Sequence, residues 1–178
     1  MGQSSKKQQH LRELLEPEIR AFMSSKKTLQ LATVDANGRS NISYAPFIHD
    51  ADGYYVLISE MARHTQNIFV NPVASLMMIE DELNTSNLYA RTRLTFDAHV
   101  QIVSRETDKW SEIIPLMIER LVNTAELLAQ LGDFHLIKLK TEDGLFVKGF
   151  GQAYKVSSDD LVDFVHLKKG HTSLDEND

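Results

Sequence analysis

The chain contains no cysteine, which excludes disulfides, thiolate metal sites, iron–sulfur clusters, a thiol nucleophile and any cofactor held through thioether links. Positive charge is also in deficit. The formal net charge is -6 and the pI is near 5.6, so the positive footprint that phosphate recognition needs is missing and nucleic acid is not an expected partner. Glycine is sparse, at eight residues, and none of it forms a dinucleotide fingerprint, a Walker loop or another phosphate cradle. The phrase Lys148-Gly149-Phe150-Gly151 has the wrong spacing and reads as a strand bend. No window approaches the ~18 consecutive apolar residues of a membrane helix. The segment Met1 to Glu18 lacks the apolar core of a secretory leader. A cytoplasmic protein without membrane insertion is expected.

What is present fits a globular domain. The 178 residues are 42% hydrophobic and 25% charged, average values for a folded chain and enough length for one core, so residues 1–178 are read as a single domain. Leu11, Leu14, Leu15, Ile19 and Phe22 recur at helical spacing and predict an amphipathic helix over about 5–25. From Thr28 the period changes to two. Strands are predicted at Thr28–Val34, Asn41–Ile48, Tyr54–Ser59, Val73–Ile79 and Leu88–Val103, with Pro46 marking an edge or bulge. A short helix from Ala62 to Val70 stops at Asn71-Pro72. Helical spacing returns over Glu106–Leu131, to be kinked or divided at Pro115. Phe134–Leu139, Leu145–Phe150 and Gln152–Val156 follow as strands, the first two joined by a turn at Glu142-Asp143-Gly144. Ser158 to Asp160 would cap a last helix through Val165, and a polar tail occupies 168–178. About seven strands with few helices between them predict a mainly β fold, an antiparallel barrel with peripheral helices.

Without thiols, seven histidines and the carboxylates are left for metal or acid–base chemistry. His10 and His49 lie in polar or turn contexts and read as exposed. His99 and His135 alternate with apolar residues and read as sheet residues, and His166 as a helix end. His64 opens a helix beside Arg63, where free backbone amides and a cation suit an anion, or where the pair is simply solvated. Arg91 and Arg93, two apart on a strand, share a face. They form either a cradle for a carboxylate or phosphate, or ion pairs with Glu80, Asp81 and Glu82. Asp133 follows Gly132 in a connection and reads as a turn residue. His171, behind Gly170 in the polar tail, is either a loose tail histidine or an axial ligand that closes over a large bound cofactor.

The chain resembles the HutZ-type haem-utilisation proteins, a branch of the split β-barrel family related to pyridoxamine 5'-phosphate oxidase. The resemblance runs from about Leu14 to His171. It is carried by Leu15 to Ile19, Thr28 to Asp35, Ser43 to Phe47, Ala62-Arg63-His64, Met77 to Asp81, Arg93 to Asp97 and Leu145 to Tyr154. The most specific stretch is Asp159 to Leu167 followed by Gly170-His171. The resemblance implies a split β-barrel that assembles as a homodimer, with haem at the subunit interface. It implies that His171 is the axial ligand of the haem iron, that Asp133 is the acidic partner of that histidine, and that Arg93 lies in the haem pocket. His64 is carried over as a further pocket residue. The implied activity opens the porphyrin to a biliverdin-type product and releases iron, drawing electrons from an external donor. Two alternatives accompany it: a haem carrier or storage protein without turnover, and a flavin-dependent oxidoreductase of the parent family using FMN. Against the flavin pattern, Ser59 to His64 holds one strongly basic side chain where the related oxidases grip phosphate.

Overall fold

Alternation of apolar and polar residues needs a partner for each face, and the chain supplies it by curling one sheet into a closed barrel. In the computed structural model, which describes residues 3–122 and 124–157, the elements run in the order α1 (Gln3–Ser25), β1 (Thr28–Val34), β2 (Ser40–Asp50), β3 (Gly53–Ser59), α2 (Arg63–Val70) and β4 (Val73–Ile79). They continue with β5 (Arg93–Val103), α3 (Asp108–Leu121), α4 (Thr124–Ala129), β6 (Phe134–Gly149) and β7 (Gln152–Val156). The strand order is β3-β2-β1-β4-β5-β6-β7, and a further β3–β6 pairing closes six strands on themselves. Every neighbouring pair is antiparallel. Closure pairs most of the sheet and reduces the edges that would otherwise template aggregation, leaving β7 and the Ser40–Pro46 stretch of β2 with one neighbour each among the described residues.

Two cores result. Leu29 and Leu31 of β1, Phe47 of β2, Tyr54 and Val56 of β3, Leu76 of β4, Leu94 and Phe96 of β5 and Phe146 of β6 fill the barrel. Helix α1 plugs one end with Leu15, Ile19 and Met23, where the Tyr54 hydroxyl donates to Met23 Sδ at 2.8 Å and Lys148 pairs with Glu18 at 2.6 Å. Helix α2 closes the opposite end. Its buried Ile68 joins the core, Asn67 donates to Thr33 Oγ1 at 2.9 Å, and Asn71 after it donates to the Val34 carbonyl at 3.0 Å. The second core lies outside the barrel, where Tyr55, Leu57 and Leu136 of β3 and β6 pack under Ile113, Ile114 and Met117 of α3 and Ala125 of α4.

Among the described residues, no helix packs over the outer face of β1, β2, β4 and β5. Ile42 is 70% exposed and Tyr44 68% exposed there, beside the exposed Val34 and Val73. A shallow depression of about 380 Å³ on this face is lined by Ile42, Met77, Thr95, Gly144 and Leu145 among others.

The mainly β barrel with peripheral helices is as expected, with three local corrections. Residues 88–92 are not strand: Leu88–Ala90 form a single 3-10 turn, and β5 begins only at Arg93. The long helix divides at Val122, whose φ is 68°, and Pro115 stays inside α3. Glu142-Asp143-Gly144 is no turn, because β6 runs unbroken from Phe134 to Gly149 and bends opposite a bulge between Phe96 and Ala98. Pro46 marks an edge as expected: the ladder to β3 starts one residue later, at Phe47, so among the described residues Ser40 to Pro46 of β2 pair with β1 alone. The predicted helix from Ser158 to Val165, together with His166 and the tail, lies outside the described residues.

A charged cluster fastens α3 to the β2–β3 turn. Lys109 reaches Asp50, Asp52 and Glu112 at 3.4, 3.3 and 2.9 Å, and Lys138 reaches Asp52 at 3.2 Å. The Lys138 ammonium, followed by that of Lys109, holds the Asp52 carboxyl below its usual range. Beneath the cluster Tyr55 is fully buried, and burial, with the nearby Asp50 carboxylate, pushes its phenol up to about 12. A folded-state value raised above the ordinary 10.0 gives stability that is complete below that pH and lost as pH rises towards the folded value. Unfolding temperatures followed from pH 9 to pH 12, by our expectation, will fall more steeply for the wild type than for Tyr55→Phe.

Candidate functional site

Of the four sequence-identified site residues, the three within the described residues, Arg93, Asp133 and His64, divide between the two ends of the barrel. Arg93 is the first residue of β5 and pairs with Ile79, the last of β4, at the end plugged by α1. Its guanidinium is half-buried and donates through Nη1 to the Arg91 carbonyl at 3.2 Å; no carboxylate pairs with it among the described residues. Arg91 behaves differently. It lies before the strand, so the side-chain alternation that would place it beside Arg93 does not apply, which corrects the shared-face expectation. It donates through Nε to the Glu80 carbonyl at 2.9 Å and through Nη1 to Glu82 at 3.1 Å, and Nη2 also turns to the Glu80 carbonyl. Arg91 is spent on holding its own loop; Arg93 keeps its charge available.

Asp133 and His64 sit at the opposite end, closed by α2. Asp133 precedes β6, whose first residue Phe134 pairs with Ser59, the last of β3. Its carbonyl accepts from the Glu60 N–H at 2.7 Å, and its Oδ2 accepts from the Ser59 hydroxyl at 3.0 Å. No other partner meets the carboxylate among the described residues, which leaves Oδ1 open. His64 lies in the first turn of α2, with Nε2 buried and without a hydrogen-bond partner. Burial pushes its imidazole below the ordinary value, so it is neutral at neutral pH. Arg63 beside it faces Asp35 at 3.8 Å in an exposed pair. No hydrogen bond joins His64 to Asp133.

Arg93 and Val103 stand at the two ends of β5, and Val103 pairs with Leu136, close to Asp133. Ten strand steps at about 3.3 Å separate the ends by roughly 30 Å. A single copy of the chain therefore does not bring Arg93 together with Asp133 and His64. His171 lies outside the described residues. Of the remaining described histidines, His10 is exposed, His99 meets Glu142 at 3.1 Å, and His135 meets Glu60 at 3.1 Å. His49 is not solvated as expected but half-buried, its ring 4.5 Å from that of Tyr54.

Two supporting residues escaped the sequence reading. Ser59 is one. Arg105 is the other: it stacks on Trp110 at 4.5 Å and donates to the carbonyls of Ala129, Leu131 and Phe134, the last at 2.9 Å. It clamps both sides of the turn that presents Asp133. Neither residue stands near Asp133 in sequence, and no local motif marks them. The one sequence signal was the end of a strand followed by a polar run, Ser59-Glu60, opposite an Asp at the start of another strand.

The six-stranded closure with helices at both ends and an uncovered outer face defines the architecture of the split barrels. Comparison with known proteins then supplies the lineage. The family model for pyridoxamine 5'-phosphate oxidase matches residues 15–148. The protein named heme oxygenase HutZ from Vibrio cholerae is 56% identical over 168 residues, 94% of this chain and 96% of that one. A crystal structure of HutZ, described there as a heme storage protein, is similar with a TM-score of 0.73 at 55% identity, covering 77% of this chain and 96% of that one. ChuZ from Campylobacter jejuni is similar with a TM-score of 0.81 at 33% identity, covering 91% of this chain and 67% of that one. The chain belongs to the pyridoxamine 5'-phosphate oxidase family and to its HutZ branch.

Proposed function

We propose that this protein binds haem between two copies of itself and degrades it, opening the macrocycle to a biliverdin-type product and releasing iron. The observation that carries the reading is the placement of Arg93 and Asp133. Each has unused hydrogen-bonding capacity, they lie at opposite ends of one barrel, and an uncovered apolar sheet face runs between the ends. A second copy packed on that face in the opposite direction would set one chain's Arg93 near the other's Asp133, as a two-fold interface requires. The reading is supported further by the 56% identity to a protein named heme oxygenase.

The residues fit haem on their chemistry. Arg93, a cation with no acid partner among the described residues, suits a propionate. The exposed Ile42 and Tyr44 offer the apolar wall that a macrocycle needs. His171 would ligate the iron, and Oδ1 of Asp133 would accept the N–H of the same imidazole, fixing its tautomer and raising its donor strength. His64, neutral and with a buried nitrogen unpartnered, would line the pocket without adding charge. Iron supplies the dioxygen chemistry of ring opening when haem is bound; the electrons come from an external donor.

Adding hemin to the pure protein and then a reductant under air tests this. The haem band should disappear into a bilin spectrum in air and persist under argon. Intact haem in air would overturn degradation and favour storage, the reading suggested by the description of the HutZ crystal structure. A yellow preparation with stoichiometric FMN would favour the flavin oxidoreductase instead.

A further inference from the structure

We infer that Ser59 is a positioning residue for Asp133, fixing which carboxylate oxygen is offered to a ligand imidazole; the inference rests on the haem reading above. The last residue of β3 is an odd place for a partner of a turn aspartate. Elsewhere in this chain turn aspartates satisfy their own loops: Asp35 Oδ1 accepts from the Asn37 N–H, Asp50 Oδ1 from the Asp52 N–H, and Asp81 Oδ1 from the Leu83 N–H. Asp133 does not. Its Oδ2 reaches a hydroxyl 74 residues away in sequence, and its other oxygen stays open.

A carboxylate oxygen only accepts, so the Ser59 hydroxyl is the donor in that hydrogen bond. The Met61 N–H donates to Ser59 Oγ at 3.2 Å, and the hydroxyl's single proton goes to Asp133 Oδ2 at 3.0 Å. The Glu60 N–H holds the Asp133 carbonyl at 2.7 Å. Main chain and side chain of Asp133 are thus both tied to residues 59–60. That segment ends β3, where Ser59 pairs with Phe134 at the start of β6. The neighbouring Glu60 carboxylate meets His135 through Oε2 at 3.1 Å and is exposed, without a tie to the strand end such as Ser59 gives Asp133. A carboxylate held through one oxygen on a rigid strand presents the other with its rotamer already fixed, which is how a supporting layer keeps a ligand group in place.

Hemin titration of the full chain, followed by visible absorption, tests this on the wild type, Ser59→Ala, Ser59→Thr, Asp133→Ala and the Ser59→Ala/Asp133→Ala pair. Ser59→Ala should weaken hemin binding about tenfold, the size of one charge-assisted hydrogen bond. It should also move the absorption maximum in the same direction as Asp133→Ala. Ser59→Thr, which keeps the hydroxyl, should bind as the wild type does. On the Asp133→Ala background the serine change should add less than about twofold, because its route to the ligand is gone. Wild-type behaviour of Ser59→Ala, an equal loss in the absence of Asp133, or failure of threonine to rescue would each overturn the role of Ser59 while wild-type hemin binding leaves the haem reading standing. A wild type that takes up no hemin would overturn both.

Discussion

Replacing His171 by alanine is expected to abolish the absorption band of bound hemin at matched protein concentration, the largest functional effect in this account. Iron in the porphyrin needs a strong axial donor on one side and an open position on the other. With no cysteine in the chain, imidazole is the strongest neutral donor available. Of the six other histidines, His99 and His135 each contact a carboxylate, His49 packs on Tyr54 and His64 is buried at Nε2. None of these four can turn to iron without giving up its contact or its burial. The unfolding temperature of the hemin-free His171→Ala protein should match the wild type, since the described barrel core is built from residues between Leu15 and Val156. An unchanged hemin spectrum in the variant would remove His171 from the site.

The largest effect on stability is expected at Gly144. There β6 bends across β5, and a Cβ on residue 144 would lie 2.4 Å from Phe96 Cδ1 and 2.5 Å from the Thr95 carbonyl oxygen. The first contact involves a side chain fully enclosed in the barrel and the second is main chain, so neither yields cheaply. Gly144→Val should cost about 3 kcal/mol or more, which for a domain of this size lowers the midpoint by roughly 10 °C. Adding Phe96→Ala should not rescue it, because the clash with the carbonyl remains and a cavity is opened. Thermal unfolding of the three proteins measures this; a Gly144→Val midpoint equal to the wild type would show that β6 does not cross β5 as closely as described.

The sequence reveals most where one periodicity governs a segment. β1 follows from strict alternation, β3 and β4 from short, mostly apolar runs bounded by turn residues, and α1 and α3 from helical spacing, because in each the element is decided by local pattern. Glu142-Asp143-Gly144 misleads because turn residues also serve a strand that must bend over a neighbouring ring, and that need is visible only once Phe96 is across from Gly144. Val122 breaks the helix at a positive φ that a β-branched residue seldom adopts, so Pro115 draws the prediction instead. Arg91 and Arg93 look equivalent two residues apart, yet the strand begins only at Arg93, and among the described residues Arg91 pairs with Glu82 while Arg93 meets no carboxylate. The site follows the same rule. His64, Arg93, Asp133 and His171 stand out through resemblance to a family, whereas Ser59 and Arg105 act on the Asp133 turn through contacts with no local signature.

The central claim is that one haem is held jointly by two copies of this chain, with Arg93 from one and Asp133 from the other. Mixing Arg93→Ala and Asp133→Ala proteins after unfolding and refolding them together tests it most directly. Each variant alone should bind hemin poorly. Random pairing makes half of the dimers mixed, and each mixed dimer regains one intact site, so hemin binding should recover to about one quarter of the wild-type level. A mixture that binds no better than its two components would place both residues in a site within one chain and contradict the account.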